Sequence, residues 1–267
     1  MNLSEGRRLE LVAELAGLAD DDLLDVHADP HHHRSVLTLV GTRAVRDITR
    51  QAVHLLSLAG HHGVHPRLGV VDVVPFVPLP DSTMNDALAA RDAFAQWAAD
   101  ELGVPCFLYG PDRSLPDIRR RAWVDLVPDV GPQHPHPNAG AICVGAREVL
   151  VAYNVWLPGT DVDLARRVAA AVRSDHIRAL GLAVGERTQV SMNLIAPDRV
   201  GPMAAFDAVA AAVERLGGQV ERAELVGLVP ARCLAGVPRD RWTELDLSVE
   251  QTIEWQLAQR NQRQRRP

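Results

Sequence analysis

A histidine-rich loop carries the residues best suited to chemistry. The segment GHHGVHPRLGVVDVVPF, residues 60–76, has three histidines within five positions, then a Pro-Arg pair and a strongly apolar run. Imidazoles titrate near neutral pH, so one of them could act as a general acid or base, and several together could bind a metal ion. The segment is therefore compatible with a metal site, a catalytic histidine or a set of solvent-exposed imidazoles.

The metal interpretation needs a geometry that this sequence opposes. His61 and His65 are four residues apart, a spacing that aims two rings at one ion only on a helix. Gly60, Gly63 and Pro66 disfavour a helix there, and no glutamate stands between the histidines as it does in an HExxH motif. We therefore predict no metal site.

The glycines and the proline instead favour a rigid connection between a helix and a strand at residues 70–77. His65 would be held at the mouth of that strand, where it could act as general acid or base. Arg67 offers a planar fork for a carboxylate. Asp72 is the lone acid in the apolar run, and it could orient His65 or Arg67, or cap a turn.

In the second half of the chain the elements can be assigned in order. A strand at 149–156 precedes a helix that begins at a capping-box-like pair, Thr160 and Asp163. The segments IRALGLAV and TQVSMNLI alternate with period two around Gly185-Glu186-Arg187, which indicates a hairpin. Another helix and the strand VERAELVGLV complete a β-α-β-β-α-β order, which is typical of ferredoxin-like domains.

The first half repeats most of this order. A helix whose apolar face includes Leu15 and Leu18 precedes strands LLDVHAD and RSVLTLV, a second helix and strand VVDVVPFV. The opening strand is predicted to be absent, because Met1 stands immediately before the helix. A helix from Ser82 to Leu102 and strand VPCFLY extend this half.

These patterns predict an α+β fold of two ferredoxin-like α/β subdomains. The predicted ranges are 1–146 and 147–240 for the subdomains, and 241–267 for a C-terminal helix and a disordered tail, RNQRQRRP. Each sheet would carry helices on an apolar face and polar groups on the other face. In the first half, Leu24 and Val26 are assigned to the apolar face of the sheet. The polar faces are assigned Asp25, His27 and Asp29 in the first half, and Ser191 and Asn193 in the second half.

Two apposed polar faces would form a substrate cleft or tunnel with the helices outside, although faces that simply meet solvent are the alternative.

Composition excludes several classes of function. All 28 basic side chains are arginine, which removes lysine Schiff-base chemistry, pyridoxal phosphate anchoring and the Walker A lysine. The net charge of −6 provides no basic field for nucleic acid. The sequence shows neither an apolar signal core nor a run long enough for a membrane span, so a cytoplasmic protein with no membrane partner is expected. Cys106, Cys143 and Cys233 are scattered singly, which predicts reduced core thiols.

Eight blocks in order carry a resemblance to a known family. The blocks are NLSEGR (2–7), LLDVHADPHHHRSVLTLVG (23–41), HHGVHPRLGVVDVVPFVPL (61–79), PCFLYG (105–110), PDVGP with HPNAGAICVGAR (128–147), LVAYNVWLPGT (150–160), QVSMNL (189–194) and ELVGLVP (224–230). In this order and spacing the chain resembles the glutamate formimidoyltransferases, also called formiminotransferases. No cyclodeaminase domain follows the blocks, so a monofunctional enzyme is expected.

The resemblance implies transfer of a formimidoyl group from N-formimidoyl-L-glutamate to tetrahydrofolate, giving 5-formimidoyltetrahydrofolate and glutamate in histidine degradation. It implies tetrahydrofolate as co-substrate, no metal, two subdomains around a substrate tunnel, and His65 as the catalytic residue of the HxGxHPRxG motif. It also implies a folate-contacting loop, for which the candidate residues are Gly131, Pro132, His136, Pro137, Asn138, Ala139 and Gly140. The expected partners are small molecules, and a homodimer is left open.

Substrate-binding candidates follow from chemistry and from the predicted polar faces. Arg34 and Arg67 could bind the carboxylates of formimidoylglutamate or of the folate tail. The further candidates are Asp72, His27, Asn154, Ser191 and Asn193. Two positions depart from the family pattern, since His27 replaces a small polar residue and His33 replaces asparagine. Formyl transfer between 5-formyltetrahydrofolate and glutamate, and a non-catalytic folate-binding relative, are alternatives.

Overall fold

The computed structural model describes residues 1–265, which form two compact units with their boundary between Glu148 and Val149. Unit 1 contains β1 (Asn2–Leu3), α1 (Leu9–Gly17), β2 (Leu23–Asp29), β3 (Arg34–Leu39), α2 (Arg43–Leu55), β4 (Val71–Phe76), α3 (Met84–Leu102), β5 (Cys106–Tyr109), α4 (Leu115–Arg121) and β6 (Ile142–Ala146). Unit 2 contains β7 (Val151–Leu157), α5 (Val162–Val172), β8 (Ile177–Val184), β9 (Arg187–Leu194), α6 (Pro202–Arg215), β10 (Arg222–Val226) and α7 (Ile253–Gln264). The fold is α+β, as predicted.

The opening strand of unit 1 is present, so the prediction that it is absent was wrong. Asn2 pairs antiparallel with Val36 of β3 on one side and with Val73 of β4 on the other, within the sheet order β2-β3-β1-β4-β6-β5. Two residues are too few to show a period, but a central position satisfies their backbone groups on both sides. The side chain of Leu3 is completely buried. The first four strands thus have ferredoxin-like order, and β6 and β5 extend the sheet in parallel.

Unit 2 has the predicted ferredoxin-like order. Its four antiparallel strands lie in the order β10-β7-β9-β8, and α5 and α6 pack on the face that buries Tyr153, Val190 and Met192. Gly185 turns the predicted hairpin with φ of 63°. The helix start was predicted wrongly, since α5 is capped by Asp161, whose carboxylate accepts from the backbone N–H groups of Asp163 and Leu164 at 3.0 Å.

Three smaller predictions were also wrong. Leu18 lies one residue beyond α1 and is 40% exposed, because the helix ends at Gly17. Val26 is 38% exposed although Leu24 is buried, because the pairing register shifts between Leu23 and Asp25 and breaks the alternation of faces. The predicted disordered tail is helical as far as Gln264, and its last two residues lie outside the described range.

Helix α4 and strand β6 were not predicted. Helix α4 begins with a reciprocal capping box, in which the Ser114 hydroxyl accepts from the Asp117 N–H and the Asp117 carboxylate accepts from the Ser114 N–H. Its buried Ile118 packs against residues of β4, β5 and β6, including Val73 and Cys143. This packing fixes the position of the arginines that follow Ile118.

The three cysteines are buried free thiols, as predicted. Burial, reinforced by Asp129, raises the pKa of Cys106 to about 12, so this thiol stays protonated at neutral pH. Within residues 1–265, every helix is too short or too polar to cross a lipid bilayer.

Candidate functional site

The loop between α2 and β4 is held together by the Arg67 guanidinium. Its Nη2 donates to the carbonyl oxygens of Gly63 and His65, both at 2.6 Å, and its Nη1 contacts the ring of His61. A side chain at Gly63 would not fit, because a Cβ there would lie 2.4 Å from the carbonyl oxygen of His32. The loop is therefore non-helical and closely packed, which agrees with the argument against an i,i+4 metal pair.

His65 is presented by this loop with a defined ring orientation. Its Nδ1 lies 2.8 Å from the Pro66 carbonyl oxygen and 3.2 Å from Nη1 of Arg34. The carbonyl oxygen can only accept a hydrogen bond and the guanidinium can only donate one. We assign the ring proton to Nδ1, toward the shorter contact, which leaves Nε2 as an acceptor and makes Arg34 a charged neighbour of the ring and not a hydrogen-bond donor to it. Burial and then the charge of Arg34 lower the pKa of His65 to about 3. The ring is thus neutral at physiological pH, and its Nε2 is unprotonated.

A buried carboxylate organises the charges beside His65. Asp72 has no exposed side-chain surface, and its oxygens accept from Nη1 of Arg34 at 2.6 Å, from Nη1 and Nη2 of Arg119 at 3.0 and 2.5 Å, and from the backbone N–H of Leu68 at 2.7 Å. Burial acts to raise the pKa of Asp72, but Arg34 and Arg119 outweigh it and hold that pKa well below its usual range. Two guanidinium groups and one carboxylate leave a net charge of +1, which suits an anionic ligand.

Asp72 closes the turn at the end of the histidine loop, one of the three roles open from sequence, because its Oδ1 accepts from the Leu68 N–H. Orientation of His65 or Arg67 by Asp72 stays a prediction. Asp72 is connected to the neighbourhood of His65 by Arg34, whose Nη1 donates to Asp72 and lies 3.2 Å from Nδ1 of His65. Arg34 is further positioned by Asn2 of β1, whose Oδ1 accepts from Nε of Arg34 at 3.1 Å. The short first strand therefore contributes directly to the site.

A second cluster lies on the other side of the loop. His33 stacks on His61 with ring centroids 4.0 Å apart, and Nε2 of His61 donates to the Ser4 carbonyl oxygen at 2.9 Å. Glu5, with a side chain only 2% exposed, lies 3.4 Å from Nδ1 of His33. Burial and the neighbouring His61 lower the pKa of His33 to about 4. A cavity of about 290 Å³ is bordered by Ser4, Glu5, His33 and His61.

The lowered histidine pKa values predict acid sensitivity. A group whose folded-state pKa lies below its unfolded value of about 6.5 binds fewer protons when folded, so stability is lost as pH falls below about 6.5. For His65 this loss continues to about pH 3. We expect the wild type to lose about 1 kcal/mol more unfolding free energy than His65→Gln between pH 7.5 and pH 5.5, measured by urea denaturation. Equal losses in the two proteins would contradict the lowered pKa.

The predicted folate loop divides into two places. His136 and Gly140 exchange two backbone hydrogen bonds of 2.8 and 2.9 Å, and Nδ1 of His136 accepts from the Ala139 N–H at 3.0 Å. Gly140 has φ of 71°, and a Cβ on it would lie 2.1 Å from the Leu68 carbonyl oxygen, so this turn packs against the end of the histidine loop.

The remaining folate candidates are placed differently. Gly131 lies next to Ala99 and Pro105, whereas Pro137 and Asn138 are exposed at the turn and Pro132 is half-buried. The turn from His136 to Gly140, and not Gly131, is therefore the part of the predicted loop that packs against Leu68 and Gly69, at the end of the histidine loop.

The other predicted substrate residues lie on strands. His27 is on the edge strand β2, opposite Val36. Asn154, Ser191 and Asn193 are in unit 2 on the sheet face away from α5 and α6; Asn154 is 6% exposed, Ser191 half-buried and Asn193 exposed. Each of the two units therefore presents part of the predicted set.

Arg119 was missed by sequence reasoning. It stands 47 residues after Asp72, in a short helix with too few turns to show a period. Two signals were available: a Ser-x-x-Asp helix start before three consecutive arginines, and a lone acid in an apolar strand, which needs a cationic partner when it is buried. Across the described residues, His, Cys, Asp and Glu side chains form no group of three or more placed to hold a metal ion.

Most of the chain is similar to known proteins. The family described as formiminotransferase domain, N-terminal subdomain, matches residues 1–147. The chain is 33% identical to the glutamate formimidoyltransferase of Streptococcus pyogenes serotype M1, over 88% of this chain and 89% of that protein. It is 32% identical to the glutamate formimidoyltransferase of Thermoplasma acidophilum, over 89% of each. It is also 32% identical to the formimidoyltransferase-cyclodeaminase of Sus scrofa, over 87% of this chain and 50% of that protein.

Proposed function

The chain belongs to the formiminotransferase family and is a transferase, and we propose that it moves the formimidoyl group of N-formimidoyl-L-glutamate to N5 of tetrahydrofolate. The products are 5-formimidoyltetrahydrofolate and L-glutamate. The observation that carries the mechanistic part is the placement of His65, whose Nδ1 contacts the Pro66 carbonyl oxygen and whose ring lies beside the positively charged cluster of Arg34, Asp72 and Arg119.

His65 acts as the proton carrier of the transfer. N5 of tetrahydrofolate attacks the amidine carbon, and Nε2 of His65 accepts the N5 proton as the tetrahedral intermediate forms. The bond from that carbon to the glutamate nitrogen then breaks, and the same proton is delivered to the leaving amine. The unprotonated Nε2 provides the acceptor for the first step. The protonated ring is made acidic by burial and by Arg34, so it donates the proton readily in the second.

The arginines beside His65 bind carboxylate. Arg34 and Arg119 share one aspartate, so their excess positive charge is available to a carboxylate of the glutamate donor or of the folate tail. Arg67 has a different role here, because its donors are engaged by carbonyl oxygens of the loop that presents His65. In this proposal the backbone of the His136 to Gly140 turn contacts the pterin. The proposal also includes the substrate tunnel between two sheets that the sequence predicts.

The proposal is tested by supplying both substrates to the purified protein. We expect 5-formimidoyltetrahydrofolate and glutamate to form in equal amounts, detected by mass spectrometry, and no transfer when either substrate is omitted. Product only from 5-formyltetrahydrofolate and glutamate would establish the formyl alternative. Binding of tetrahydrofolate without turnover of either donor would establish a non-catalytic relative. An absent first strand in unit 1 would favour that interpretation, but β1 is present.

A further inference from the structure

Three N–H donors converge on one carboxylate oxygen in unit 2. Oε2 of Glu224 accepts from Nε1 of Trp156 at 2.9 Å, from Nδ2 of Asn154 at 3.1 Å and from Nε2 of Gln189 at 3.3 Å. The strand register brings the four together, because Glu224 of β10 lies opposite Asn154 of β7, and Trp156 lies opposite Gln189 of β9. Their sequence neighbours, including Tyr153, pack against the helices, so the cluster faces the other way.

The shared carboxylate determines how two side-chain amides are oriented. An ionised carboxylate only accepts hydrogen bonds, so the amide nitrogens of Asn154 and Gln189 turn toward Glu224 and their carbonyl oxygens turn away from it. Gln189 is completely buried, yet its Oε1 has no hydrogen-bond partner within the described residues. A buried acceptor without a partner costs stability, and natural structures retain few of them.

We propose that Glu224 is a positioning residue, which holds the Asn154 and Gln189 carbonyl oxygens ready to accept from the N–H groups of a bound ligand. The ligand class is a flat nitrogen-rich donor, an amidine or an aminopyrimidine. This inference rests on the proposed function, whose two substrates supply one such group each: the formimidoyl group of the donor and the pterin of the acceptor.

The chemistry also predicts discrimination between donors. A formyl group has an oxygen where the formimidoyl group has an N–H. It therefore cannot donate a hydrogen bond to the carbonyl oxygens of Asn154 and Gln189. If the amidine is the ligand, the carbonyl oxygens at Asn154 and Gln189 favour formimidoyl over formyl transfer. If the pterin is the ligand, they act on the folate alone.

The test compares two near-isosteric variants with a matched control. Glu224→Met keeps the volume but removes the acceptor oxygen on which the three donors converge, so the neighbouring amides lose their fixed orientation. Gln189→Met keeps the volume but removes Oε1. Tyr153→Phe is the control, because it deletes a buried hydrogen bond of 2.7 Å to the Leu245 carbonyl oxygen on the opposite face of the same sheet.

We expect both cluster variants to raise the KM of one substrate about tenfold, with kcat within about threefold of wild type, because a contact equal in ground and transition states is lost. An increase confined to N-formimidoyl-L-glutamate assigns the amidine, and one confined to tetrahydrofolate assigns the pterin. Tyr153→Phe should lower only the thermal unfolding midpoint. Unchanged KM values in both cluster variants, with midpoints lowered as in the control, would overturn the proposal and leave the proposed function intact.

The transferase proposal and the positioning role of Glu224 can be tested separately even if the wild type shows no turnover. Titration calorimetry with N-formimidoyl-L-glutamate and with tetrahydrofolate then replaces the kinetic assay. Weaker binding of one of them to Glu224→Met and Gln189→Met supports the positioning role even though the transferase proposal fails. Binding equal to wild type, or no binding by any of these proteins, rejects the positioning role.

Discussion

Replacing His65 with glutamine is expected to lower kcat/KM for formimidoyl transfer by about 10²- to 10⁴-fold. Glutamine keeps a polar group of similar reach, but it cannot carry a proton between the attacking and the leaving nitrogen. Tetrahydrofolate affinity should stay within about threefold of wild type, because the loop is held by Arg67 and not by the ring of His65. Steady-state kinetics and an equilibrium titration with tetrahydrofolate measure the two quantities.

His62 provides the matched control. It lies in the same loop and is exposed, in contrast to the partly buried His65. His62→Gln should therefore retain activity within about twofold. A rate in His65→Gln equal to that of His62→Gln would remove the proton-carrier role, whereas a rate loss in both variants would point to the loop as a whole.

Replacing Asp72 with asparagine is expected to cost about 3–5 kcal/mol of unfolding free energy. The variant leaves the guanidinium groups of Arg34 and Arg119, only 13% and 15% exposed, without the charge that compensates them. An amide also places an N–H group where a carboxylate oxygen accepted hydrogen bonds. Urea denaturation at pH 7.5 measures the loss.

Asp112→Asn is the control for that measurement. Asp112 is exposed near the start of α4, so its replacement should change the unfolding free energy by less than about 0.5 kcal/mol. A loss below about 1 kcal/mol in Asp72→Asn would show that water or a rearranged side chain replaces the carboxylate. The stability of the double variant with Arg119→Gln then measures the coupling, which should exceed 1 kcal/mol because the two residues are in direct contact.

The amino-acid sequence by itself determined the elements whose signals are local. The β-α-β-β-α-β order of unit 2 follows from strand and helix periods and from a glycine-bearing turn, all within windows of ten to twenty residues. The non-helical histidine loop follows from Gly60, Gly63 and Pro66, which restrict the backbone wherever they occur. The sequence also predicted the formiminotransferase family by resemblance, because eight blocks in a given order and spacing are far more specific than any one block.

Only the tertiary structure decided which distant groups meet. Arg119 and Asp72 are 47 residues apart, and Glu224 and Gln189 are 35 apart, so no periodicity connects them. The pKa of His65 depends on burial and on Arg34, neither of which can be derived from its neighbours in the chain. Strand β1 has two residues and therefore shows no period in the sequence. It forms because it pairs with β3 on one side and with β4 on the other. The physical reason is common to all of these: contacts across a sheet depend on register and packing, which are set by the whole fold and not by a local window.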